Sequence, residues 1–221
     1  MGCHSHKLNG KDVAICLMKD EAKGNCLECH MPEVVGRSAV GTDGKTHRSH
    51  KMPGGHDIEM LKKAATLDAE IATKGKSRSN RSDRNLVVSV KNMIKHTFPS
   101  TNPMRIAFVK VVAKDKDGNK VWENFKKSPL EDKQALFFKA FKAGEKIGVP
   151  SWAAEGLAFD TRLKAGETRT IIYSLADPAI TQVDVMLLYR LFPPKALKGF
   201  GIPEDGVNEK IYPVAKKSLT L

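Results

Sequence analysis

The 221-residue sequence predicts an α+β chain in two unlike parts. A loop-rich N-terminal region with a helix is followed by an antiparallel β-sandwich with one inserted helix. Three observations predict it. All four cysteines (Cys3, Cys16, Cys26, Cys29) and six of the seven histidines fall in the first 56 residues. Every aromatic residue lies at or after Phe98, so the early part lacks the bulky apolar material of an ordinary core. Regions of that kind are usually ordered by a metal, disulfides or a cofactor. Third, the hydrophobic period becomes two after about residue 86, which is the signature of half-buried strands.

Residues 1–56 are rich in Gly, Lys and His with little periodicity, and read as loops and short turns. Asp57 is a suitable N-cap for a helix carrying Ile58, Leu61, Ala65 and Ile71, with Gly75 as its C-terminal stop. The polar, basic stretch from Lys74 to Arg84 reads as a linker. The expected organisation is therefore a cofactor-binding region over 1–75, a linker over 76–85 and a sandwich over 86–221.

Within the sandwich, Leu86, Val88 and Val90 alternate with their neighbours. Arg105 to Ala113 is rich in Ile, Phe and Val, and Asp115–Gly118 supplies turn chemistry before a strand from Lys120. Ser128-Pro129-Leu130-Glu131 has capping-box spacing with Pro at the first helical position. A helix is expected to follow, with Leu130, Phe137, Phe138 and Phe141 on one face and Gly144 as its stop. Strands resume over Thr168–Leu175 and Gln182–Leu191, where Val183, Val185, Leu187 and Tyr189 alternate. Several short strands with Gly and Pro turns argue for a sandwich.

Composition limits the function classes. Lys and Arg number 37 against 25 acids, a formal charge of +12, which favours anionic partners or an anionic cofactor. No apolar run approaches the roughly 18 residues of a membrane span, and the N-terminus has no apolar core of a secretory signal. Met1-Gly2-Cys3 is a poor acylation signal, because His6 stands where Ser or Thr is wanted.

The most specific motif is Cys26-Leu27-Glu28-Cys29-His30. Two thiols at this spacing can add to the two vinyl groups of one porphyrin, and the following imidazole then reaches the iron as proximal ligand. The motif points to haem c; the competing reading is a C-x-x-C zinc or redox pair beside an incidental histidine. Bis-histidine iron needs a distal imidazole. The run from His47 through His50 to His56 offers three, of which His50 is favoured, with His47, His56, His6 and His96 as rivals and Met31 or Met52 as thioether alternatives. Cys3-His4 looks like the end of a second motif, which a cysteine before Met1 would complete. This raises the expectation of a second haem and of a longer natural chain. A Cys3–Cys16 disulfide is the alternative.

Cys26 to Pro32 and Arg48-Ser-His-Lys-Met-Pro-Gly-Gly-His-Asp57, with the helix after them, resemble a group of multihaem c-type cytochromes. Val90 to Pro99, Asp160 to Arg169 and Val185 to Arg190 resemble the β-sandwich that follows the haems in that group. The resemblance implies electron transfer by bis-histidine haems outside the cytoplasm, with His96 a candidate to reach a haem from the sandwich. It also implies a redox partner protein or neighbouring haem subunits, with an oligomer or filament among the arrangements open to it.

Covalent haem attachment takes place outside the cytoplasmic membrane in bacteria and archaea, so a periplasmic or extracellular location with a removed leader is expected. A different class of function is a zinc-dependent nucleic-acid-binding module using Cys26, Cys29, His47 and His50. The 17 residues between Cys29 and His47 exceed zinc-finger spacing, and the region offers no aromatic for base stacking. A haem enzyme with an open iron site is a third reading, but no motif places a catalytic acid; an electron carrier is favoured.

Overall fold

A computed structural model describes residues 7–16, 21–41, 43–73 and 84–221. Strand β6 (Arg84–Asn92) puts Leu86, Val88 and Val90 fully inside, as their alternation predicts. It is the centre of a three-stranded antiparallel sheet between β5 (Ala65–Thr73) and β13 (Thr168–Ser174). The second sheet runs β15 (Ile211–Thr220), β14 (Gln182–Arg190), β7 (Ile106–Lys114), β8 (Lys120–Glu123), with the short β9 (Leu136–Phe137) also paired to β7. Val109, Val111, Val183, Val185 and Leu187 of this sheet share one core with Leu86, Val88, Val90 and Ile171 of the first. The two sheets therefore form the expected sandwich.

A third sheet, β10 (Lys139–Ala143) between β11 (Lys146–Ile147) and β12 (Gly156–Asp160), belongs to the same half of the chain. Phe138 and Phe159 pack with Ile106, Phe108 and Leu136 in a second, smaller core. Leu136 thus serves one core and Phe137 the other, so the segment is buried on both faces and shows no strand alternation.

Two expectations are corrected. The helix begins at Ile58 with Asp57 as N-cap, its carboxylate accepting from Glu59 N and Met60 N, but α2 ends at Ala64. From Ala65 the chain is strand β5, paired in register with β6 from Ala65↔Asn92 to Thr73↔Arg84. The reason is a period-two pattern: Ala65 and Ala69 are buried and Leu67 and Ile71 half-buried, while Thr66, Asp68 and Glu70 face water. The inserted helix is also absent. Ser128 and Glu131 form their capping box, yet it opens only a 3-10 turn over Pro129–Glu131, with another at Lys133–Ala135. Asp132 ends the first turn because its carboxylate is held in the interior by Tyr173 Oη at 2.5 Å and Asn124 Nδ2 at 2.9 Å.

Among its described residues the N-terminal part holds two hairpins, β1 (Lys7–Leu8) with β2 (Ala14–Cys16) and β3 (Glu33–Val35) with β4 (Thr46–Arg48), and the one-turn helix α1 (Cys26–His30). Among the described residues before Leu61, only Ser49 is buried. Asn9 Nδ2 ties the first hairpin to the sandwich through Ser151 O and Ala154 O. Among the described residues a further helix, α3 (Pro194–Phe200), is closed by Gly201 in the left-handed conformation. No helix among the described residues is long and apolar enough to cross a membrane.

Candidate haem-binding site

Helix α1 exists because Asn25 caps it: its side chain accepts from Leu27 N, and Met31 N closes the turn on Leu27 O. Cys26 and Cys29 are three residues apart and so share a face of the turn; both are exposed free thiols. His30, at the end of the turn, is half-buried, with Nδ1 2.7 Å from Pro53 O. A carbonyl only accepts, so Nδ1 carries a proton and Nε2 is the ring nitrogen left for a metal, the orientation that a metal-ligating imidazole uses.

A second imidazole faces this one. The ring centres of His30 and His96 are 6.4 Å apart, with 23° between the ring planes. His96 Nδ1 donates to Thr97 O at 2.9 Å, so its Nε2 is bare as well. Among the described residues neither Nε2 has a hydrogen-bond partner. Burial lowers the pKa of His96, and the nearby His30 lowers it further, against the opposing pull of Thr97 O and Glu21. The ring is held neutral, as a ligand must be.

His96 is placed by the end of β6. Asn92, fully buried, donates from Nδ2 to the carbonyls of His96 (2.7 Å), Lys164 (2.9 Å) and Leu163 (3.2 Å), and its Oδ1 accepts from Ile94 N. Phe98 exchanges two backbone hydrogen bonds with Leu163. The segment ahead of α1 docks on the same loop. Glu21 accepts from Arg162 and from Thr97 Oγ1, Lys23 N donates to Lys95 O, and Lys95 Nζ lies 3.6 Å from Glu28 Oε2. Gly24, at φ 112°, lies so close to Lys95 that a Cβ there would meet its Cδ at 2.8 Å. Sequence reasoning missed Glu21, Pro53, Thr97 and Arg162, since each acts through contacts between segments distant along the chain.

The other predicted residues are placed differently. His47 is half-buried with Nδ1 3.1 Å from Gly36 O, and with His50 it lines an open cleft of about 510 Å³ beside Val34, Ser49 and Lys51. His50 and His56 are exposed, and among the described residues no ring contact joins His47, His50 or His56 to His30. Met31 caps α1, and Met52 is exposed at φ 47°. Cys3, His4 and His6 lie outside the described residues, as does the side chain of Cys16. No three His, Cys, Asp or Glu side chains gather as a metal site among the described residues, so Cys26, Cys29, His47 and His50 are not brought together as the zinc reading requires.

The donor set fits haem c: two exposed thiols at the attachment spacing and two imidazoles whose ring centres lie 6.4 Å apart. Cys26 and Cys29 would hold the porphyrin by thioethers, and His30 and His96 would hold the iron.

The fold defines a class: the chain has a multihaem-cytochrome-like fold. It superposes on a penta-haem cytochrome c552 from Thermochromatium tepidum with a TM-score of 0.82 and 25% identity, covering 100% of this chain and 55% of that one. The chain thus spans about half the length of that relative. A structural-genomics target designated SoR45 matches 71% of this chain and 86% of its own at 7% identity and a TM-score of 0.29, too low to carry an argument. No family model and no curated protein matches the sequence.

Proposed function

We propose that this chain is part of an electron-transfer c-type cytochrome. A haem c is attached through Cys26 and Cys29, with His30 as proximal and His96 as distal ligand. The observation that carries the reading is the pair of carbonyl-oriented imidazoles 6.4 Å apart beside an exposed C-x-x-C turn. Cys26 and Cys29 would hold the group covalently through their two thiols. The bound group supplies one-electron Fe(III)/Fe(II) chemistry. Two imidazoles, His30 and His96, would both be taken up in holding the iron, which favours a carrier over an enzyme. His96 takes the distal role for which His50 was favoured by sequence; His47, His50 and His56 then remain as imidazoles for a second haem held by Cys3 and His4.

The partner is a redox protein or a neighbouring haem subunit. Attachment chemistry implies a periplasmic or extracellular location. The first test is expression in a host competent for haem maturation. Haem stain should stay with the denatured polypeptide, the spectrum should be low-spin, and His96→Gly should turn it high-spin, with added imidazole restoring it. A colourless band would sink the reading. An unchanged spectrum in His96→Gly would move the distal ligand to His47, His50 or His56.

A further inference from the structure

The side chain of Arg162 is 2% exposed and lies between two carboxylates that are far apart in sequence. Its Nε and Nη2 grip Asp160 at 2.8 and 2.6 Å, a bidentate pair within one turn of chain. That pair alone would satisfy the buried charge. Yet Nη2 also donates to Glu21 Oε1 at 2.8 Å, and Nη1 reaches Glu21 Oε2 at 3.1 Å, Thr97 Oγ1 at 3.2 Å and Ser100 O at 3.0 Å. Thr97 Oγ1 in turn donates to Glu21 Oε2 at 3.0 Å.

Each partner belongs to a segment that the haem site needs. Glu21 begins the stretch leading into α1, which carries Cys26, Cys29 and His30. Thr97 follows His96, and its carbonyl is the acceptor that orients the His96 ring. The guanidinium is therefore the common point between the segment that carries the proximal imidazole and the loop that carries the distal one.

We propose that Arg162 is a positioning residue: through Glu21 and Thr97 it fixes the separation and orientation of His30 and His96 across the haem. The inference rests on His96 being the distal ligand. A planar fork with five donors can hold Asp160, Glu21 and Thr97 at once, whereas an ammonium could keep the charge but not the angles. Without the fork the loop would still lie against the sandwich, since Asn92 and Phe98 are anchored independently, and the segment ahead of α1 would keep the bond from Lys23 N to Lys95 O. What would loosen is the clamp on the iron, so the distal imidazole would leave and return more often.

The test uses the full haem-loaded chain with Glu21→Gln, Thr97→Val, Thr97→Ser and Arg162→Lys, beside His96→Gly. Readouts are the ferric spin state, the rate at which added cyanide displaces the distal ligand, and the circular-dichroism melt of the β-sandwich. Loss of a charge-assisted hydrogen bond predicts cyanide entry on the order of tenfold faster in Glu21→Gln and Thr97→Val. Arg162→Lys should be faster too, with a lowered melt because its buried bidentate bond to Asp160 is lost. Thr97→Ser should match the parent, and Glu21→Gln should leave the sandwich melt unchanged. Parental entry rates in Glu21→Gln and Thr97→Val, with His96→Gly high-spin, would overturn the role of Arg162 alone. A low-spin spectrum identical to the parent in His96→Gly would overturn the distal assignment itself. Glu21→Gln keeps the test decisive if a buried substitution prevents folding, because Glu21 lies at the junction and not in the core.

Discussion

At the scale of single residues, the site depends on backbone carbonyls that orient rings. Pro53 O orients the ring of His30, so whatever positions residues 53–56 also positions that imidazole. That loop is seated on the sandwich at Gly55. A Cβ there would fall inside the hydroxyl of Tyr189, within 3.1 Å of its Cζ and 3.4 Å of Leu191 Cδ2. Tyr189 is 1% exposed and cannot withdraw, so the loop must lift. Gly55→Ala should therefore cost about 1–3 kcal/mol in a denaturant titration, the usual range for overpacking. It should also weaken the low-spin signature of the haem-loaded protein as Pro53 O retreats. Gly199→Ala in α3 is the control: a Cβ there meets nothing within 4 Å, and alanine is the better helix former. Equal stability of the two variants would show that the Gly55 contact does not seat the loop.

At the scale of elements, what the sequence displayed was whatever one face of water made periodic. β6 and β14 were legible because Leu86, Val88 and Val90, and Val183, Val185, Leu187 and Tyr189, alternate with more exposed neighbours. β5 was not, because Ala65, Ala69 and Ile71 are equally compatible with the helix that precedes them. β9 was hidden for the opposite reason, since burial on both faces erases alternation and leaves a Phe-rich run that also fits a helix. The site divides the same way: Cys26, Cys29 and His30 form one local motif, whereas the pairing of His30 with His96 and the Arg162 clamp exist only once the topology closes. Asp184 is an element-scale feature of the same sort. It sits within β14 among apolar residues, where Lys114 Nζ at 2.7 Å and Ser218 Oγ at 2.6 Å hold its carboxyl down to about 2 from 3.8. A depressed carboxylate contributes stability above the unfolded value of 3.8 and loses it as pH falls through about 2. Asp184→Asn should melt below the parent at pH 7, with the gap closing between those two values. A gap that persisted at pH 2 would mean that packing, not the charge, is what the substitution removes.

At the scale of the whole molecule, the two halves are stabilised by different means. The sandwich has its own core from Leu61 onward, with both sheets contributing fully buried side chains. The described N-terminal residues before Leu61 bury only Ser49, while Leu27, Val35, Val40 and Met52 stand exposed, Val35 at 90%. Ordering each residue costs about 1–2 kcal/mol of backbone entropy, and the docking bonds of Asn9 and Glu21 and the packing of Gly55 on Tyr189 are too few to offset that over some fifty residues. A covalently held haem that binds the folded form and covers apolar side chains would supply the missing stabilisation. Replacing Cys26 and Cys29 together by Ala should therefore remove amide-exchange protection and expose residues 7–60 to protease, while β6, β7, β13 and β14 keep parental protection and melt as one transition. Protection over residues 21–56 that matched the haem-loaded parent would mean that the hairpins and docking contacts suffice alone. Loss of protection in the sandwich as well would mean that the two halves fold as one unit, with the haem region completing a core that the sheets cannot close by themselves.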